Sequence, residues 1–191
     1  MPRREEKIMG LPQRKLFTKA EYLLLEERAE TKHELVSGEI YAMAGAKENH
    51  VKITGNIFRN IANHLLESPC DVYSSDMKLS AGLDCYYPDV FVKCDPNDND
   101  ELVKERPILI VEVLSDATEN FDRGNKLQNY LKIPTLQEYV LVSQKEMEVW
   151  IYRRTGKKWE MEILKNGDKL HLISIDLKIL VEDLYAKISF I

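Results

Sequence analysis

Cysteine is scarce in this chain. Cys70, Cys85 and Cys94 are the only three in 191 residues, and no two show C-x-x-C spacing. Neither a disulfide framework nor a zinc site is supported, so three reduced thiols, partly buried as small hydrophobic groups, are expected. No apolar run approaches the ~20 residues a membrane span needs. The basic start also lacks the apolar segment of a signal peptide. These absences predict a cytoplasmic protein with no membrane partner. A basic excess is missing too: 27 Lys and Arg face 32 Asp and Glu, for a net charge of -5. Proteins that hold DNA chiefly by its phosphates carry a basic footprint, so any such footprint here is local. The balance speaks against strong non-specific DNA binding, but not against a metal-dependent site, which needs acids of its own.

What remains is ordinary for a globular chain, at 44% hydrophobic and 31% charged residues. The length suits one domain with a sizeable core. Residues 1–15 are polar and read as a flexible arm, leaving 16–191 as a single domain. Thr18 with Glu21 three residues later forms a capping-box pattern and opens a helix running to about residue 30. Two short runs around Ser37-Gly38 predict a β-hairpin. Val51, Ile53, Ile57, Phe58, Ile61 and Leu65 recur at helical spacing, giving a helix over 47–67. Short strands follow at 71–73 and 77–79. The Asp- and Asn-rich stretch 94–107 reads as a solvated loop, because the glycine and final glutamate of an EF-hand are missing. Ser115 to Thr118 opens a second helix over about 120–131, and a buried strand follows at 138–142. A second hairpin turns at Thr155-Gly156, before a last strand at 169–173 and a helical turn at 181–185. The expected fold class is α/β in the α+β sense: a central mixed sheet flanked by helices, with hairpins near either end.

Two strands stand out. Residues 108–115 are an almost unbroken β-branched and leucine run with one carboxylate, Glu112, set into it. Such a run is buried on both faces, where a carboxylate is costly unless a cation partners it. Asp89 follows Pro88 at the start of the other strand, where proline is tolerated. If the strands are neighbours, both acids face one cation, and such oxygen ligands suit Mg²⁺ or Mn²⁺. Either acid alone is more simply a turn residue or half of an ion pair; the two together favour a metal site. On that reading Glu112→Gln relieves like-charge repulsion and leaves the fold intact.

These residues carry a resemblance. Glu34-Leu35-Val36-x-Gly38-Glu39, Pro88-Asp89, Val111-Glu112-Val113-Leu114-Ser115, Lys126 with Tyr130, and Glu138-Tyr139 resemble the Uma-type family of restriction-endonuclease-like proteins. The order of helices and strands is similar to the core of the PD-(D/E)-x-K nuclease superfamily, and the likeness spans about residues 16–185. The resemblance implies a restriction-endonuclease-like core and a Mg²⁺- or Mn²⁺-dependent endonuclease acting on DNA as a homodimer. Asp89, Glu112 and the Val113 carbonyl would then be the metal ligands, with Glu34 a further acid. One position departs from the superfamily pattern. Its lysine lies two residues after the second acid, where this chain has Leu114, so Lys126 on the following helix is the candidate replacement. Read from the residues alone, Lys126 is equally a solvated helix lysine and Glu34 equally a hairpin salt bridge. His50 reads as a helix-start cap and Tyr130 as core, and both are candidates to support the site from behind. An inactive nuclease-fold module that binds nucleic acid or protein is the alternative function. A hydrolase of smaller phosphate esters is a third.

Overall fold

The computed structural model describes residues 15–115 and 119–190. Helix α1 (Lys19–Glu26) opens on the expected box: the Glu21 N–H donates to Thr18 Oγ1, and the Thr18 N–H donates back to the Glu21 carboxylate. Strands β1 (His33–Val36) and β2 (Glu39–Ala42) are joined by Ser37 and Gly38, both at positive φ. That is the two-residue hairpin turn whose twist matches the strands it joins. Helix α2 (Glu48–His64) buries Ile53, Ile57 and Ile61, spaced four apart on one face. There follow β3 (Asp71–Ser74), β4 (Lys78–Ala81), β5 (Asp84–Tyr86), β6 (Val90–Lys93), β7 (Val103–Lys104) and β8 (Pro107–Val113). Next come α3 (Glu119–Phe121), a π-helical turn at Asp122–Lys126, and α4 (Leu127–Tyr130). Strands β9 (Glu138–Val142), β10 (Glu148–Thr155), β11 (Lys158–Lys165), β12 (Lys169–Leu172) and β13 (Leu177–Leu180), then α5 (Val181–Leu184), complete the described chain.

The fold is α+β, with a mixed six-stranded sheet ordered β11-β10-β9-β8-β6-β3 in which β8 and β9 run parallel. The long apolar run becomes β8 near its middle. Leu109, Val111 and Val113 pack toward α2, through Ile53, Ile57 and Ile61. Ile110 points the other way, into a second core with Leu127, Tyr130 and Tyr139. That second core is closed by a five-stranded sheet, β2-β1-β5-β4-β7, which contributes Val36, Leu79 and Tyr86. Glu112, even-numbered like Ile110, is therefore turned toward the second sheet, and this alternation decides where the site lies.

The cysteines correct the sequence reading: Cys70 and Cys94 are joined as a disulfide, not held as reduced thiols. Strands β3 and β6 are antiparallel with Asp71 opposite Lys93, so the residues just outside that pair meet, at a Cα–Cα distance of 4.1 Å. Across a separation of 24 residues, only the strand register reveals this adjacency. Cys85 is free and buried, and burial pushes its thiol up to about 11. Iodoacetamide at pH 8 is therefore expected to label no cysteine in the native oxidised protein. One should label after unfolding and three after reduction, as read by mass spectrometry; native labelling of Cys85 would contradict its burial.

The helix expected over 120–131 is present without interruption over residues 119–130, with a π-helical turn at its centre. Its expected opening at Asp116 to Thr118, and the arm up to residue 14, lie outside the described residues. Among the described residues no helix is long and apolar enough to cross a membrane.

Candidate active site

Asp89 and Glu112 meet at one end of the six-stranded sheet. Strands β6 and β8 are antiparallel, with Val90 opposite Val111, so Asp89 and Glu112 occupy the next step of the ladder. Pro88 has no N–H, and regular pairing begins only after it. Beyond that point the carboxylates take over the ladder. The Asp89 N–H donates to Glu112 Oε2 at 3.2 Å, and the Val113 N–H donates to Asp89 Oδ2 at 2.7 Å. Each acid is thus fixed by backbone of the neighbouring strand.

The hairpin, α2 and the helix that contains the π turn bring the remaining groups. His50, in the first turn of α2, places Nε2 3.1 Å from Asp89 Oδ2. Burial pulls the His50 pKa down, but the hydrogen bond and charge of Asp89, with help from Asp122 and the Val113 carbonyl, outweigh it and the net shift is upward. Lys126 is buried and reaches three acids: Nζ lies 2.9 Å from Glu112 Oε1, 3.1 Å from Glu34 Oε1 and 3.7 Å from Asp122 Oδ1. Tyr130 donates its hydroxyl to the same Glu112 Oε1, at 3.1 Å. Glu34 is also held by the Tyr87 N–H, at 3.2 Å.

The π-helical turn explains this convergence. An α-helix advances ~100° per residue, so residues four apart drift by ~40° at each step. The wider π turn takes in an extra residue and reverses that drift between 122 and 126. Asp122, Lys126 and Tyr130 therefore stay in line above Glu112.

Acids outnumber cations in this cluster. Burial, with the charges of Asp89, Asp122 and Glu34, raises the Glu112 carboxyl well above its usual range, although Lys126 opposes the shift. Burial would discharge Lys126, but Glu112, Glu34 and Asp122 overcome it and hold the ammonium charged. Asp122 is the member that sequence reasoning missed. An acid in the first turn of a helix ordinarily just complements its dipole; the available signal was its i, i+4 spacing to Lys126.

Among the described residues no three or more His, Cys, Asp or Glu side chains are arranged to share one metal ion. The donors present still suit a hard cation. Mg²⁺ is commonly held by one or two carboxylates, with water and substrate phosphate completing its shell. Asp89 and Glu112 are two such carboxylates interlocked, with the Val113 backbone beside them. The geometry also changes one expectation. Both Glu112 oxygens accept hydrogen bonds, from Lys126 and Tyr130 on one side and the Asp89 N–H on the other. An amide has a single acceptor oxygen. Glu112→Gln is therefore expected to lose roughly 1–3 kcal/mol in thermal melts in EDTA, the cost of one unmet buried donor, and not to be neutral. An unchanged melting temperature would restore the neutral expectation.

A mixed sheet thus ends in two interlocked acids, with a buried lysine delivered by the crossover after the second. The profile of the family described as "Putative restriction endonuclease" (Uma2) matches residues 20–181, and the chain belongs to that family. The uncharacterized protein slr1290 of Synechocystis is 38% identical over 174 residues, covering 89% of this chain and 92% of that one. The uncharacterized protein sll1609 of the same organism is 37% identical over 151 residues, covering 76% and 85%. The crystal structure of a putative nuclease from Anabaena variabilis shares the fold, with a TM-score of 0.75 at 19% identity. The match covers 89% of this chain and 98% of that one. Family and fold together support a nuclease.

Proposed function

We propose that this protein is a Mg²⁺- or Mn²⁺-dependent DNA endonuclease working at the Asp89–Glu112–Lys126 pocket. The observation that carries the reading is the buried Lys126 ammonium, 2.9 Å from a Glu112 that is itself locked to Asp89. Asp89, Glu112 and the Val113 carbonyl would hold the cation, which when bound polarises the scissile phosphate and makes its bound water more acidic. The chain's own groups do the rest. Lys126 stays charged, so it does not act as a base. Its role is to offset negative charge that builds on the phosphate oxygens and to orient the attacking water. Glu34 and Tyr130 fix that ammonium and its partner, and His50 fixes the Asp89 carboxylate. A homodimer would set one such site against each strand of a duplex.

One observation favours the inactive module. Lys126 already partners Glu112, and among the described residues no three-ligand metal cluster stands beside it. Supercoiled plasmid incubated with the full chain separates the readings. Nicking that appears with Mg²⁺ or Mn²⁺ and vanishes in EDTA is the expected result. Binding without cutting in either metal would favour the module. Hydrolysis of short nucleotides but not plasmid would point to a smaller phosphate ester.

A further inference from the structure

Glu34 and Tyr41 are directly opposite each other in the β1–β2 hairpin. Residues so paired project from the same face of a sheet, roughly 5 Å apart at Cβ. Glu34 is drawn inward by Lys126 and the Tyr87 N–H, whereas Tyr41 is 51% exposed. Its hydroxyl donates to Glu39 Oε2 at 2.6 Å. An isolated exposed tyrosine is unremarkable on a protein surface. This one differs in its register: an exposed aromatic ring stands beside an acid that touches the candidate catalytic lysine. A cation lies close by. Lys32, immediately before β1, bonds the Ser75 carbonyl and pairs with Asp76, while the Ser75 N–H donates to the Pro88 carbonyl, one residue from Asp89. Both partners of that ion pair are exposed, so it holds Lys32 only weakly and a phosphate can replace Asp76.

We infer that Tyr41 is a base-stacking residue at the mouth of the pocket. An unpaired base next to the scissile phosphate lies on its ring, and Lys32 meets a neighbouring phosphate. The inference rests on the nuclease reading and deepens it by naming the substrate class: DNA in which a base beside the scissile phosphate is unpaired, as in a single strand or where supercoiling opens a duplex. Every base has a π-face, so this contact is tolerant of sequence, and a base stacked inside a duplex cannot make it.

Fluorescence anisotropy of a labelled oligothymidylate in EDTA tests this on the full chain, with wild type, Tyr41→Ala and Tyr41→Phe compared. Tyr41→Ala is expected to weaken single-strand binding by roughly 5- to 150-fold, the range for losing one base–aromatic stack. Tyr41→Phe should bind like wild type, because the ring and not the hydroxyl makes the contact. The salt dependence of Tyr41→Ala should match that of wild type, since no phosphate contact is lost, and a duplex of equal length should bind both alike. Equal single-strand affinity for Tyr41→Ala and wild type overturns the stacking role and leaves the nuclease reading intact. A Tyr41→Ala protein that changes its sedimentation while binding DNA normally would make the ring a contact between copies, which also overturns it. If wild type neither nicks plasmid nor binds either oligonucleotide, the nuclease reading falls and takes this inference with it.

Discussion

Asp89→Ala is expected to bring metal-dependent plasmid nicking down to background, a loss of at least ~10³-fold for removing a group that positions a catalytic cation. The alanine variant alone does not isolate the chemistry. Asp89 Oδ2 is the acceptor for the Val113 N–H and lies against His50, so truncation also strips a backbone donor at the end of β8. Leaving that donor unmet costs about 1–3 kcal/mol, enough to loosen the strand end that carries Glu112. Asp89→Asn separates the two effects. Its amide oxygen can take the place of Oδ2 and accept from both the Val113 N–H and a His50 Nε2–H, so the local structure is kept while the charge is lost. The asparagine variant should melt close to wild type and nick as poorly as the alanine variant. Nicking by Asp89→Asn at more than a tenth of the wild-type rate would show that the carboxylate charge is not required, and the metal site would fall with it.

Asp89, Glu112 and Glu34 were legible in the sequence as candidate acids, and the framework around them only in part. Glu112 announced itself because a lone carboxylate in a long apolar strand needs a partner. The capping box at Thr18 and the turn at Ser37-Gly38 are local signals, decided within four residues, and both appear as read. Long-range relations were not legible. Strand β7 has two residues and pairs in parallel with β4, more than twenty positions earlier, so it has no periodicity of its own to detect. The Cys70–Cys94 bridge depends on the register of β3 against β6. Asp122 depends on a π turn, and one extra residue in a helical turn leaves no mark in a pattern of apolar spacings. Lys126 could be proposed from its place on the helix after the Glu112 strand. That it would sit among three acids required the hairpin to deliver Glu34 from almost a hundred residues away.

That crowding makes Lys126 the side chain whose loss should cost the fold most. Lys126→Met keeps the apolar stem and removes only the ammonium, so cavity formation does not enter. What remains is Glu34, Glu112 and Asp122, all buried or nearly so and without the cation between them. Breaking a buried ion pair from one side typically costs about 3–5 kcal/mol, and a loss of that size is expected at pH 8. The sign of the pH dependence follows from the acids. Burial and mutual repulsion already raise the Glu112 carboxyl well above its usual value, and losing Lys126 raises it further. A carboxyl whose folded pKa lies above its unfolded value imposes no penalty below the unfolded value, near 4.5. The penalty grows as pH rises through the folded one. Wild-type Lys126, held well above 10.5, stays charged throughout and contributes no slope of its own between pH 5 and 8. The gap in stability between wild type and Lys126→Met should therefore narrow toward pH 5 and widen toward pH 8, as measured by denaturant unfolding at both. Where the variant remains folded, its nicking rate should fall by at least ~10²-fold, the low end for losing a charge-stabilising group. A Lys126→Met protein with wild-type stability at pH 8 would mean that Glu112 is already protonated in the native state. Wild-type nicking by the same protein would remove Lys126 from the reaction.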